Sequence, residues 1–195
     1  VAVGFGRLGS HLFAAQRFGV TPDFMCLAKG LTGGYLPLAA TLTTDRIFQA
    51  FLGDPSEGKT FFHGHTYTGN ALGAAAAHAT LDLFETTDVL TSLPKKVTHL
   101  EKMLHELSQH QYVGDIRQFG LCVGIELVHD RAHKTPFPDT IRAGMKVCNH
   151  ALDRGVFLRP LGNVLVLMPP LTMTPQELDR IGEAIRYGLA KLESD

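Results

Sequence analysis

Between residues 88 and 110 apolar side chains return at Val89, Leu93, Val97, Leu100, Leu104 and Leu107, the spacing of a single helical face. A helix of that length needs something to bury its stripe against, and this one separates two stretches with different patterning, so we expect it to connect two units. Ahead of it, short apolar runs are broken by glycine. Residues 1–3 read as the tail of a buried strand, 4–9 as a loop and 10–18 as a short helix, which Gly19 and the turn Thr21-Pro22-Asp23 close. Strands are predicted at 24–27 and from 38 to 43, a helix at 44–52, a long loop at 53–66 and an alanine-rich helix at 69–85. Three short apolar runs with loops between them imply an α/β sheet. Past the long helix, 112–120 and 121–128 read as paired strands, 140–154 as a helix, and 156–159 and 164–167 as short strands, an α+β pattern. The final helix starts with Thr174 as N-cap, Pro175 at its first position and Glu177 completing a capping box, and then buries Leu178, Ile181, Ile185, Leu189 and Leu192. The expected organisation is therefore residues 1–87, a connecting helix over 88–110, and a second unit over 111–195.

Composition removes several function classes. Eighteen basic against nineteen acidic side chains leave a net charge of −1, too weak a field to recruit nucleic acid or an anionic membrane surface. No apolar run approaches the roughly 20 residues needed to span a bilayer. Cys26, Cys122 and Cys148 stand far apart without a CxxC spacing, which suits free thiols in a reducing, cytoplasmic setting rather than a disulfide frame or zinc site. The chain opens at Val1 with no Met and no polar leader, so it reads as a piece of a longer protein.

Four constellations carry chemistry. Lys29 follows the apolar run Phe24-Met25-Cys26-Leu27-Ala28 and precedes Gly30-Leu31-Thr32-Gly33-Gly34. A lysine there is expected to be partly buried, which would lower its pKa and make its amine a nucleophile for a carbonyl; a lysine snorkelling to solvent from a strand end is the structural alternative. His63-Gly64-His65-Thr66-Tyr67-Thr68-Gly69-Asn70 leads into the alanine-rich helix, where hydroxyls and free N–H groups can hold a phosphate. The competing readings are a helix cap by Thr66 or Thr68 and a metal pair from His63 and His65, the latter with no third ligand at a recognisable spacing, so no metal is assigned. In Leu158-Arg159-Pro160-Leu161-Gly162 an arginine ends an apolar run just before a turn, placed either to take a carboxylate through two parallel hydrogen bonds or to pair with an acid. Gly4-Phe5-Gly6-Arg7-Leu8-Gly9 matches a dinucleotide fingerprint in letters but has its acid, Asp23, in the wrong place. Arg7 is left as an anion contact or a surface charge. Asp115 and Arg117 alternate along a strand and read as structural pairs.

Taken together, Val3-Gly4-Phe5-Gly6-Arg7, Pro22-Asp23, Ala28-Lys29-Gly30, Leu31-Thr32-Gly33-Gly34-Tyr35-Leu36-Pro37, His65-Thr66-Tyr67-Thr68-Gly69-Asn70 and Gly124-Ile125-Glu126-Leu127 resemble the class III (ω) aminotransferases of pyridoxal phosphate fold type I. Arg159-Pro160-Leu161-Gly162 with Met168-Pro169-Pro170 is similar to the biotin-synthesis branch of that class. The resemblance implies an α/β fold in which this chain is the C-terminal portion of the large cofactor domain followed by the small α+β domain. It implies pyridoxal 5'-phosphate as cofactor and Lys29 as the Schiff-base lysine and proton shuttle. Thr66, with His65 beside it, would bind the cofactor phosphate across a homodimer interface. Arg159 would hold the substrate carboxylate, and Arg7 would stand near the substrate. The implied reaction is ping-pong transamination, in which a small-molecule amine donor provides the amino group for 7-keto-8-aminopelargonate. Leu8 and Ala71 depart from the usual Thr and Pro. In the family, the aspartate that pairs with the pyridine nitrogen lies ahead of the position of Val1, so this segment alone is expected to be inactive.

Three other readings compete. One is a different class III aminotransferase, acting on ornithine or 4-aminobutyrate. Another is a non-catalytic module retaining the fold, against which the joint presence of Lys29, Thr66 and Arg159 counts. The third is a nicotinamide enzyme using residues 4–9.

Overall fold

A computed structural model describes residues 1–192, which form two compact units, one from residues 1–5 with 11–88 and the other from residues 6–10 with Val89 onward. In the first unit, strand β1 (Phe24–Leu27) pairs antiparallel with β2 (Ala40–Thr43), and the helices are α1 (Ala14–Arg17), α2 (Asp45–Gln49) and α3 (Ala71–Thr86). Phe5, Leu31 and Ala77 form its small buried centre, with Leu12, Phe13, Leu27, Leu38 and Phe84 packed around them. Gly73 lets α3 come against Leu38, whose Cδ1 would lie 3.3 Å from a side-chain carbon placed there. The long loop after α2 holds one 3₁₀ turn, Pro55–Glu57, started by Asp54.

Here the structure corrects several sequence expectations. Residues 1–3 lie outside any strand, with Val1 and Val3 exposed, and the left-handed residues Phe5 and Gly6 turn the chain just after them. The first helix shrinks to one turn, and α2 stops at Gln49. Only two of the three apolar runs pair, so the ladder here is a two-stranded antiparallel ribbon.

The second unit is built on an antiparallel sheet in the order β3-β4-β7-β6: β3 is Val113–Phe119, β4 Cys122–Asp130, β6 Arg159–Leu161 and β7 Val164–Leu167, while the two-residue β5 (Thr135–Pro136) pairs with β4. Val123, Ile125 and Leu127 of β4 and Leu165 and Leu167 of β7 alternate with less buried residues, so one face of the sheet is apolar. Against it pack α4 (Val89–Leu107), α5 (Ala143–Leu152) and α6 (Pro175–Leu192), which contribute Leu93, Leu100, Leu104, Val147, Ile185 and Leu189 to the core. The stripe expected on the long helix is thus buried at Leu93, Leu100, Leu104 and Leu107 and half-buried at Val89 and Val97, and Pro94 lies on the exposed side of α4. The helix expected over 140–154 begins only at Ala143, since Arg142 is left-handed and divides it from the 3₁₀ turn Asp139–Ile141. Likewise β6 starts at Arg159 rather than ending there. The two-residue turn Gly162-Asn163 sets the register Leu161↔Val164 and Arg159↔Val166, which leaves residues 156–158 outside the ladder.

The start of α6 is as expected: Thr174 donates its N–H and Oγ1–H to the Glu177 carboxylate and accepts from the Glu177 N–H at 3.3 Å. Among the described residues no helix is long and apolar enough to cross a membrane.

Ile125 is fully buried, so Ile125→Ala in the full-length protein is expected to cost about 2–5 kcal/mol, read as a shift in denaturant midpoint at unchanged slope. The backbone and hydroxyl of Thr174 hold the Glu177 carboxylate below its ordinary range. Its contribution to stability is therefore complete above the unfolded carboxylate pKa and is lost as pH falls through the depressed folded value. Glu177→Gln should flatten that part of the acid-unfolding curve, which a melting series from pH 7 to pH 3 would measure.

Candidate functional site

Lys29 leaves β1 through Ala28, which is extended at φ −166°, and itself adopts φ 53°, in the left-handed region that non-glycine residues avoid. It opens a 3₁₀ turn, Lys29–Thr32, that ends at left-handed Gly33. Thr32 is 2% exposed and donates its hydroxyl to Leu36 O at 2.5 Å, while Leu31 is buried in the core of the first unit, so the turn is anchored from below. Gly30 is required as well: a Cβ there would lie 2.8 Å from the Phe5 ring. Contrary to the expected partial burial, Lys29 is exposed, and among the described residues its amine has no hydrogen-bond or ion-pair partner. The backbone accounts for this: the left-handed start of a turn standing on Leu31 and Thr32 carries its side chain away from that core. Beyond it, Gly34 has nothing within 4 Å of the place a Cβ would occupy. A strained, firmly seated residue presents a free primary amine at the surface.

The second element is the turn over residues 65–70. Thr68 Oγ1 accepts from the His65 N–H at 2.9 Å, the Thr68 N–H returns to His65 O at 3.0 Å, and His65 Nδ1 accepts from the Tyr67 N–H at 3.1 Å. Asn70, rather than Thr66 or Thr68, caps α3, its Oδ1 accepting from the Leu72 N–H at 3.1 Å. His65, Thr68 and Asn70 are thus spent on holding the turn. The exposed Thr66 keeps a hydroxyl without a partner among the described residues. Next to it His63 stacks on Phe61 with centroids 5.3 Å apart.

The remaining residues belong to the second unit. Arg159 stands exposed at the start of β6, on the rim of a cleft of about 600 Å³ whose walls include Leu158, Met168, Met173 and Ile181. Glu177 and Arg180 also line it, from the first turn and a half of α6. The sequence pattern places Glu177 in the capping box and does not single out Arg180; the fold brings both to one cleft with Arg159. Arg7 is half-buried, and its guanidinium donates to Pro169 O, on the cleft wall. Its backbone carbonyl accepts from the Leu121 N–H at 2.9 Å. Burial draws the Arg7 pKa down, partly offset by the Cys122 thiolate form beside it, whose own pKa burial raises. The glycine run around Arg7 has no helix straight after it, part of the context a dinucleotide fingerprint requires. Arg117 pairs with Asp115 at 2.5 Å, as read from the strand alternation, and also with Glu126 at 2.7 Å on β4.

Over residues 1–189 the sequence matches the family described as aminotransferase class-III. An adenosylmethionine-8-amino-7-oxononanoate aminotransferase of Geobacter sulfurreducens is 55% identical over 189 residues, covering 97% of this chain and 42% of that protein. One of the same name from Aquifex aeolicus is 49% identical over 195 residues, covering 100% and 43%. The crystal structure of adenosylmethionine-8-amino-7-oxononanoate aminotransferase from Methanocaldococcus jannaschii superposes with a TM-score of 0.93 at 44% identity, covering 98% of this chain and 44% of that one. The chain spans less than half the length of each of these relatives.

The strain at Lys29 can be measured directly. Asn tolerates the left-handed region where lysine does not, so Lys29→Asn in the cofactor-free full-length protein is expected to raise stability by about 0.5–1 kcal/mol, whereas the β-branched Lys29→Val should lower it by about 1–2 kcal/mol. Equal melting temperatures for all three would show that residue 29 is unstrained.

Proposed function

The chain belongs to the class-III aminotransferase family, and from that premise we propose that its full-length protein is a pyridoxal 5'-phosphate-dependent aminotransferase converting 7-keto-8-aminopelargonate to 7,8-diaminopelargonate. The observation that carries the reading is Lys29, an unpaired amine on a strained, anchored turn. Retaining a left-handed lysine against a cost of about 1–3 kcal/mol is readily understood where the amine is the reacting group. The names of the relatives supply the substrate pair, with adenosylmethionine as the first amine donor to try.

The residues fit such a cofactor by their chemistry: an exposed primary amine for an aldehyde and a free threonine hydroxyl for a phosphate oxygen. When bound, pyridoxal phosphate supplies an electron-poor ring that draws off the electron pair left when the amine-bearing carbon loses its proton. Lys29 would hold the cofactor through Nζ and, once displaced by a donor amine, would serve as the base that moves the proton of the donor carbon. Thr66 donates its hydroxyl to the phosphate, with His65 keeping the turn in shape. Arg159 takes the substrate carboxylate through its planar fork, and the apolar walls of its cleft suit a methylene chain. Arg7 supports that cleft through Pro169. We assign residues 1–87 to the large cofactor domain, 88–110 to a connecting helix and 111–195 to the small domain of a homodimer. The exposed aromatics Phe51, Phe61, Phe62 and Tyr67 favour a covered surface on the first unit.

The test uses the full-length protein with pyridoxal phosphate. We expect a visible absorbance band that borohydride bleaches, with the label mapping to Lys29, and activity lower by at least about 10³-fold in Lys29→Ala. A label on another lysine would overturn the mechanism. With Lys29 labelled, a band that responds to ornithine or 4-aminobutyrate but not to adenosylmethionine would redirect the substrate assignment.

A further inference from the structure

Strand β6, which carries Arg159, lies at the edge of its sheet and pairs only with β7. The first turn of α5 packs closely against it. A Cβ built on Gly144 would lie 2.3 Å from the carbonyl oxygen of Gly162 and 2.9 Å from Pro160 Cβ. No side chain fits in that space, and one of the two obstacles is backbone. The hairpin turn cannot move aside as a whole either, because Asn163 is pinned: its carbonyl accepts from the Leu127 N–H at 2.8 Å, and its Nδ2 donates to Phe137 O at 2.8 Å. A group inserted at residue 144 therefore pushes on Pro160 to Gly162 while Asn163 stays put, and the displacement passes along β6 to Arg159.

We propose that Gly144 is a positioning residue for substrate recognition, its bare Cα setting where the edge strand presents the Arg159 guanidinium to a carboxylate on an aliphatic chain. The proposal rests on the reading of Arg159 as the carboxylate anchor. Gly182 offers a contrast, since a Cβ there would lie 2.6 Å from Met103 Cγ on α4, away from α5 and β6. Crowding at Gly182 falls on the flexible Met103 side chain of α4 rather than on the backbone of β6.

The probe is nonanoate, a saturated nine-carbon monocarboxylate, titrated calorimetrically into the cofactor-loaded full-length protein. Gly144→Ala is expected to weaken nonanoate about tenfold, in line with the loss that a small misplacement of a charged fork brings, and to add less than about twofold once Arg159→Ala is present. Its cofactor absorbance band stays as in the unmodified protein. Gly182→Ala lowers the melting temperature but leaves nonanoate affinity within about twofold. Gly144→Ala with normal affinity, or with the same loss whether or not Arg159 is present, overturns the positioning role while leaving Arg159 as anchor. Normal affinity in Arg159→Ala itself overturns the anchor reading, and the positioning role with it. If Gly144→Ala does not fold, Pro160→Gly removes the ring that packs toward α5; weakened nonanoate binding with intact folding supports the proposal, and unchanged binding overturns it.

Discussion

Strand β4 is the element on which the second unit depends. It is paired on both sides, with β3 and with β7, and its inward residues Val123, Ile125 and Leu127 meet three helices. Burying one face of an antiparallel sheet fixes its register, because a slip of one residue would turn Ile125 outward and Gly124 and Glu126 inward. Everything chemical in this unit hangs from that register: Glu126 faces Arg117 on β3, and β7 delivers β6 and Arg159 to the rim of the cleft.

The first unit is organised by the opposite priority. Its buried centre is small, and many large apolar side chains remain at its surface, Phe62 at 94% exposure among them. What is firmly held is the turn carrying Lys29, seated on Leu31 and Thr32 and closed against Phe5 through Gly30. Conformational strain at Lys29 and rigidity beneath it occur together because a left-handed lysine persists only where its surroundings over-determine it. The turn over residues 65–70 follows the same logic, with three side chains satisfying its backbone and leaving the Thr66 hydroxyl unspent.

Much of this was legible in the sequence. The 3.6-residue stripe of α4, the capping box of α6 and the alternation along β3 and β4 are local signals, and each element was recognised within a few residues of its ends. The errors occurred where local patterning competes with backbone conformation. An apolar Val-Ala-Val looks like a strand, yet it joins no ladder and left-handed Phe5 and Gly6 turn the chain just after it; Arg142 interrupts an otherwise continuous helical pattern; and a two-residue turn moved β6 along the chain. Lys29 was singled out for its neighbours, but its exposure ran against the burial those neighbours suggested.

The motifs around Lys29, Thr66 and Arg159 are a property of the sequence, and it is their resemblance to those of class III aminotransferases that points to the family matched over residues 1–189. The buried face of α4 and the capping box of α6 were likewise determined there, since they depend on residues three or four apart. Tertiary structure alone decided which groups stay free. Whether Asn70 or Thr66 caps α3, whether Arg7 is spent on Pro169, and how closely α5 approaches β6 at Gly144 all depend on contacts between residues distant in sequence or on competition for one donor. Such contacts are settled by packing and hydrogen-bond satisfaction across the whole fold, which no local stretch of sequence specifies.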